Sequence, residues 1–150
     1  MKFVKSRGRF EASNVCFYPE SLEAYSYNWW KFSTTYKGKV LFNNYNYSPT
    51  TNRHQYKVMS ELDSREIKIH LMLKYTNKGF QEGIGASSHS DIGAEIVLKD
   101  EIVCAKEVIQ DLTDLINIPK TRKTTNEKRK KRIQEIRDHI GAVEALLERE

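Results

Sequence analysis

Cysteine is scarce in this chain. Cys16 and Cys104 are the only two, far apart and without a CxxC spacing. That excludes a disulfide scaffold and a zinc ribbon, and it fits a reducing cytoplasm. Both read as buried small hydrophobes. Long apolar runs are lacking too, none approaching the roughly 20 residues that span a bilayer. Met1-Lys2-Phe3-Val4-Lys5-Ser6-Arg7 has charge but no apolar core, so a signal peptide is not expected. Glycine and proline follow no collagen-like repeat. His54, His70, His89 and His139 have no metal-ligand spacing among themselves or with the cysteines. No metal, cofactor or membrane partner is expected.

What is present is charge, unevenly placed. The 150 residues hold 25 Lys+Arg against 20 Asp+Glu. Residues 119–133 concentrate Lys120, Arg122, Lys123, Lys128, Arg129, Lys130, Lys131 and Arg132 against the single Glu127. The remaining C-terminal stretch is acidic. A block of this kind usually meets an anion: nucleic acid, a phosphorylated surface or an acidic protein.

The pattern along the chain predicts an α+β fold. Residues 24–36 and 39–47 are rich in aromatic and β-branched types around Lys37-Gly38, which reads as a hairpin. Trp29-Trp30 breaks the alternation, so both faces are covered there or a bulge switches the phase. Ser48-Pro49 reads as an N-cap and first helical residue, opening a helix over 49–62 with His54, Val58 and Leu62 on one stripe. Ile67, Ile69, Leu71, Leu73 and Tyr75 alternate as a strand over 66–75. A first strand is expected near 2–10, and the sheet is expected to be antiparallel.

Residues 79–90 are Gly-rich and read as a linker between a small α+β domain, 1–78, and a C-terminal helical hairpin, 91–150. In the hairpin, Leu98, Ile102, Ala105, Ile109, Leu112 and Ile116 form one seam. Ile133, Ile136, Ile140, Val143 and Leu147 form the other. Thr124-x-x-Glu127 matches a capping box for the second helix. These seams predict a homodimer through the hairpins.

Tyr25-Ser26-Tyr27-Asn28-Trp29-Trp30-Lys31-Phe32, the Phe42-Asn43-Asn44-Tyr45-Asn46-Tyr47-Ser48 turn and the Thr50-Thr51-Asn52-Arg53-His54-Gln55-Tyr56-Lys57-Val58 helix occur together. Over roughly residues 24–75 the chain resembles a family of short bacteriophage proteins to which no activity is assigned. The resemblance implies a phage origin and expression in a bacterial host. It transfers no catalytic residue.

Three candidate sites follow. Lys128 to Arg132 fall in the first two turns of the second helix, beside the positive end of its dipole. Cations there cost on the order of 0.3–1 kcal/mol each, so the block answers a need other than stability. The solvated-face alternative is a helix end that only raises solubility. The aromatic hairpin is second: Tyr25, Tyr27, Tyr45 and Tyr47, interleaved with Lys31, can stack unpaired bases. The alternative is a two-sided core, which is expected for Trp29, Phe32 and Phe42. Third is the helix start, where Thr50, Thr51, Arg53, His54 and Lys57 surround free N–H groups that suit phosphate. Simple capping, with His54 packed in the core, is the favoured reading there.

Gly83-x-Gly85-x-x-Ser88 lacks the third glycine and the Walker lysine, and reads as punctuation. No nucleophile–base–orienter set can be assembled, so no catalytic residue is expected. The leading expectation is a phage nucleic-acid-binding accessory protein without enzymatic activity. DNA and RNA are not separated. A different class, an inhibitor that binds an acidic host protein (a defence or transcription factor), stands second. A phosphate-directed enzyme such as a nuclease stands third.

Overall fold

Short aromatic and β-branched runs, cut by turns that need positive φ, build the sheet. The computed structural model describes residues 10–12, 14–27, 29–80, 91–119 and 122–148. Six strands, β1 (Phe10–Ala12), β2 (Val15–Tyr18), β3 (Glu23–Ser26), β4 (Trp30–Tyr36), β5 (Lys39–Asn43) and β6 (Leu71–Leu73), lie side by side in chain order. The helices are α1 (Pro49–Ser64), α2 (Asp91–Ile116) and α3 (Lys123–Glu148). The fold is α+β, and α2 and α3 are consecutive helices of a C-terminal hairpin.

The β4–β5 hairpin forms where expected. Tyr36 pairs with Lys39, and Lys37 and Gly38 have φ of 51° and 76°. Two successive positive φ values are what a tight hairpin turn requires. The sheet is not wholly antiparallel, however. β6 runs parallel to β5, with Leu41, Phe42 and Asn43 opposite Leu71, Met72 and Leu73. The reason is connectivity: α1 crosses over between them, and a helical crossover returns the chain in the same direction.

Other boundaries also differ. The run 24–36 is two strands, because Tyr27 takes a φ of 54° and the chain turns back before Trp30. The register then shifts between Ala24 and Tyr25, which face Ser33 and Lys31, so the bulge lies at Phe32 and not at the Trp29-Trp30 pair, where Trp29 is outside the strand. β2 has no counterpart among the expected strands. The run 39–47 stops pairing at Asn43. Of the run 66–75, Leu71–Leu73 alone is strand, since β5 offers three partners there. Ile67 and Ile69 still pack on the core from outside the ladder. Alternation reports one-sided burial, not pairing. Of the strand expected at 2–10, residues 2–9 lie outside the described residues, and Phe10 alone falls in β1.

One core sits between the sheet and α1. It gathers Val15, Phe17, Ala24, Trp30, Phe32 and Phe42 with Val58 and Leu62. The large apolar groups among them, each worth about 1.5–3 kcal/mol when fully buried, dominate the stability of this part. The opposite sheet face carries Tyr36, Leu41 and Leu71, all buried. There the Tyr36 hydroxyl donates to Glu95 of α2 at 2.9 Å.

The chain divides into two compact units, Met1–Val97 and Leu98–Glu150, with the boundary inside α2. Residues 81–90 of the expected linker, Gly83-x-Gly85-x-x-Ser88 and His89 among them, lie outside the described residues. Its first two residues, Gly79 and Phe80, are buried, and the Phe80 N–H donates to Lys31 O at 2.7 Å. No helix among the described residues is long and apolar enough to cross a membrane.

Candidate functional site

In the second unit, the basic block occupies the start of α3. Arg122, Lys123, Lys128, Lys130, Lys131 and Arg132 are exposed, and Arg129 is half-buried with its guanidinium donating to Asn126 Oδ1 at 3.3 Å. Asn126 in turn reaches Ile116 O at 3.4 Å, tying the turn between the helices. Lys120 lies outside the described residues. The capping box is not used: α3 begins at Lys123, and Asn126 N–H already bonds to Arg122 O. Thr124 is therefore inside the first turn rather than ahead of it. No carboxylate stands in that first turn, so the helix dipole and the cations add positive potential together.

The α3 seam residues Ile133, Ile136, Ile140 and Val143 are buried within the protein. Leu147 is half-buried, and Leu146 is the fully buried residue of the last turn. The two leucines flank the line of the stripe about 100° apart, so either can fill that place. Between α2 and α3, Glu101 is closed to solvent and its carboxylate lies 2.7 Å from His139 Nε2. A shallow groove of about 370 Å³ is lined by Lys106, Ile109, Arg137, Ile140 and Glu144. Burial, and then Asp100, pushes the Cys104 thiol up to about 11.

In the first unit, a ring of aromatic side chains surrounds the start of α1. Tyr27, Trp29 and Tyr47 are 43%, 51% and 45% exposed. Trp29, expected in the core, stands instead in the β3–β4 turn, where no strand covers it, while Trp30 begins β4 and is 2% exposed. Trp29 meets Tyr47 edge-on with centroids 6.2 Å apart, and Tyr47 meets Tyr45 in the same way. Tyr45 is half-buried on the core, as is Tyr25 on its own strand. Burial, and then the charge of Glu23, pushes the Tyr25 hydroxyl up to about 12.

Beneath this rim lies a closed polar cluster. Ser26 Oγ is 2.7 Å from His54 Nδ1 and 3.2 Å from Thr51 Oγ1, and all three residues are buried. The Tyr27 ring lies on His54 with centroids 5.3 Å apart. A buried serine cannot reach an external substrate, so this pair is a fastening rather than a nucleophile and base. Ser48 caps α1, accepting from Thr51 N–H at 3.1 Å. Thr51 and His54 are thus not available to a ligand at the helix start, whereas Thr50 is half-buried and Arg53 is exposed, 3.4 Å from Thr50 Oγ1. Lys57 is half-buried farther along.

Lys31 is also withdrawn from the candidate set. It is buried, and its ammonium donates to Glu23 Oε2 at 2.8 Å. The β4 register turns it onto the Glu23 side, opposite Tyr25. Two positioning residues escape the sequence reading, Asn43 and Gln55. Gln55 Nε2 donates to Asn43 O and Tyr45 O at 2.9 and 3.0 Å, while Asn43 Oδ1 accepts from Tyr45 N–H. They hold the loop that carries Tyr47. The available signal is Gln55 itself, on the same helical stripe as Thr51, Val58 and Leu62.

No group of three metal-ligating side chains comes together among the described residues. No protein-family model matches the chain, and no curated protein or solved structure matches it.

Proposed function

We propose that the protein is a non-enzymatic nucleic-acid-binding accessory protein of bacteriophage type, acting in the host cytoplasm. The basic start of α3 holds the phosphate backbone. One observation carries this reading: Arg122, Lys123, Lys128, Lys130 and Lys131 are all exposed within ten residues at the start of α3, the first two at the helix terminus where cations are disfavoured, and Glu127 is the lone carboxylate among them. The resemblance of residues 24–75 to phage proteins supports the host setting.

The test is a set of titrations against salt with Lys128, Arg129, Lys130 and Lys131 all changed to Gln. Each phosphate that the variant no longer neutralises lowers the slope of log affinity against log salt by roughly 0.9 for duplex and 0.7 for single strands. Unchanged affinity and slope would remove the block from binding. A second reading, an anti-defence inhibitor seated on an acidic host protein, draws on Leu115 and Ile118, apolar and exposed toward the same end of the hairpin. Capture of a host protein that survives nuclease treatment favours it.

A further inference from the structure

Three large aromatic side chains stand in solvent together at one edge of the first unit, and their setting selects an occupant. Tyr27, Trp29 and Tyr47 are held edge-on by neighbours, at interplanar angles of 63° for Tyr27 on His54 and 78° for Trp29 on Tyr47. An edge-on pair covers at most one face of one ring, and although Tyr47 also packs on Trp30, the 43–51% exposure of the three side chains leaves ring surface for another flat group. The support is rigid. Trp29 N–H closes the turn on Ser26 O, and Ser26 is itself fastened to α1 through His54 and Thr51. Tyr27 sits at a φ of 54°, where glycine or asparagine is the ordinary residue. The backbone alone would favour either of those, so the ring is what Tyr27 contributes.

The charge along this stretch is of one sign. From Ala24 to Ser60 there is no Asp or Glu, and of the cations Lys37 and Lys39 lie at the far end of β4 from Trp29, which leaves Lys31, Arg53 and Lys57. Lys31 is spent on Glu23, but Arg53 is exposed on α1, one residue from the His54 that Tyr27 covers. Flat open rings with cations and no carboxylate suit a polyanion whose flat groups are unpaired. A duplex hides its base faces. A carbohydrate platform commonly sets carboxylates beside its rings to accept from hydroxyl groups, and this stretch has none.

We infer that Tyr27, Trp29 and Tyr47 form a stacking platform for unpaired bases of a single-stranded nucleic acid, with Arg53 taking an adjacent phosphate. This rests on the nucleic-acid reading above, but not on the basic block, which belongs to the other unit. It names the strand state: bases stack on the rim irrespective of sequence.

The experiment uses the full chain, oligothymidylate and a duplex of equal length. Trp29 is the exposed tryptophan and Trp30 the buried one, so stacking quenches the Trp29 share of the fluorescence. Oligothymidylate should quench it and duplex should not. Trp29→Ala should weaken single-strand binding by about 5- to 150-fold, the range for one stacked base, and leave duplex binding alone. Trp29→Phe should keep single-strand affinity and abolish the quench, which separates a loss of stacking from misfolding. Absence of quenching, or equal weakening for single strand and duplex, overturns the platform. The glutamine variant of the basic block is titrated alongside. If it binds oligothymidylate normally while Trp29→Ala does not, the platform stands and the basic-block reading falls; the reverse result sinks the platform alone. A rim that instead covers a protein surface gives no difference between Trp29→Ala and the unmutated chain with either oligonucleotide, and that also overturns the proposal.

Discussion

Ser26 Oγ lies 2.7 Å from His54 Nδ1, so the last residue of β3 and the buried stripe of α1 are joined through one hydroxyl closed to solvent. The same oxygen reaches Thr51 Oγ1 at 3.2 Å. Ser26→Ala removes a partner from two buried groups at once. The expected cost is about 1–3 kcal/mol, read as a lower urea midpoint with an unchanged m-value. An unshifted midpoint would mean that the cluster carries no net stability.

Lys31 and Glu23 form a buried ion pair, and Glu23 also accepts from Ser21 Oγ at 2.8 Å. Lys31→Met leaves Glu23 buried without its cation, at a cost of about 3–5 kcal/mol. The double variant Glu23→Gln/Lys31→Met should recover much of that loss. Neither should change the salt slope of nucleic-acid binding, because Lys31 faces inward. A flatter slope in the double variant would return Lys31 to the binding surface.

The basic block gives a stability prediction of its own. Because α3 begins at Lys123, Lys128 to Lys131 fall in its second and third turns, beyond the first turn where the dipole penalises cations, and what remains is repulsion among like charges. Changing Lys128, Arg129, Lys130 and Lys131 to Gln should hold or raise the melting temperature by calorimetry. A clear fall would show that their aliphatic stems pack on the hairpin.

Cys104 provides a pH test. Burial, and then Asp100, raises its thiol from the ordinary 9.0 to about 11. Below about pH 9 folded and unfolded chains both hold the proton. Between about 9 and 11 the unfolded chain loses it and the folded chain keeps it, so stability falls as pH rises. Cys104→Ala should flatten that fall. Alkylation of the native protein should be slow at about pH 8, since the thiolate is the nucleophile. Fast labelling of Cys104 at that pH would contradict the half-buried, acid-flanked site.

The elements legible in the sequence are those written locally. Ser48-Pro49 marks the start of α1, Lys37-Gly38 marks a hairpin, and three–four spacing marks α2 and α3. What is not legible depends on partners far along the chain. Trp29 and Trp30 are chemically identical neighbours, yet the turn that begins at the positive φ of Tyr27 leaves one in solvent and starts β4 with the other in the core. Tyrosine gives no warning of that conformation, as glycine would. Lys31 resembles a surface cation because its partner, Glu23, lies across a turn that reads as continuous strand. The parallel pairing of β6 follows from the crossover through α1, which no alternation of residues encodes. The basic block is legible as charge, whereas the start of α3 is not, because a capping-box match tests four residues and ignores how early the helix can begin.

Assembly is the last matter the hairpin puts to test. The seams predict a homodimer, yet Ile136 and Ile140 are 1% and 7% exposed in the single chain. Residues already covered cannot also supply a second interface unless the hairpin opens. Ile136→Asp with Ile140→Asp should therefore lose helicity by circular dichroism, because charges forced into a buried stripe are expensive, rather than yield a well-folded monomer. Among the described residues, the large apolar side chains most open to solvent on this hairpin are Val103, Leu115 and Ile118. They are the first choice for a dimer that keeps the hairpin intact. Val103→Lys with Leu115→Lys should then shift sedimentation to the monomer while helicity stays the same. Two measurements settle the matter: a single species near 17.6 kDa for the unmutated chain at tens of micromolar would end the dimer. A clean, fully helical monomer from Ile136→Asp with Ile140→Asp would instead show that the seam is shared between chains.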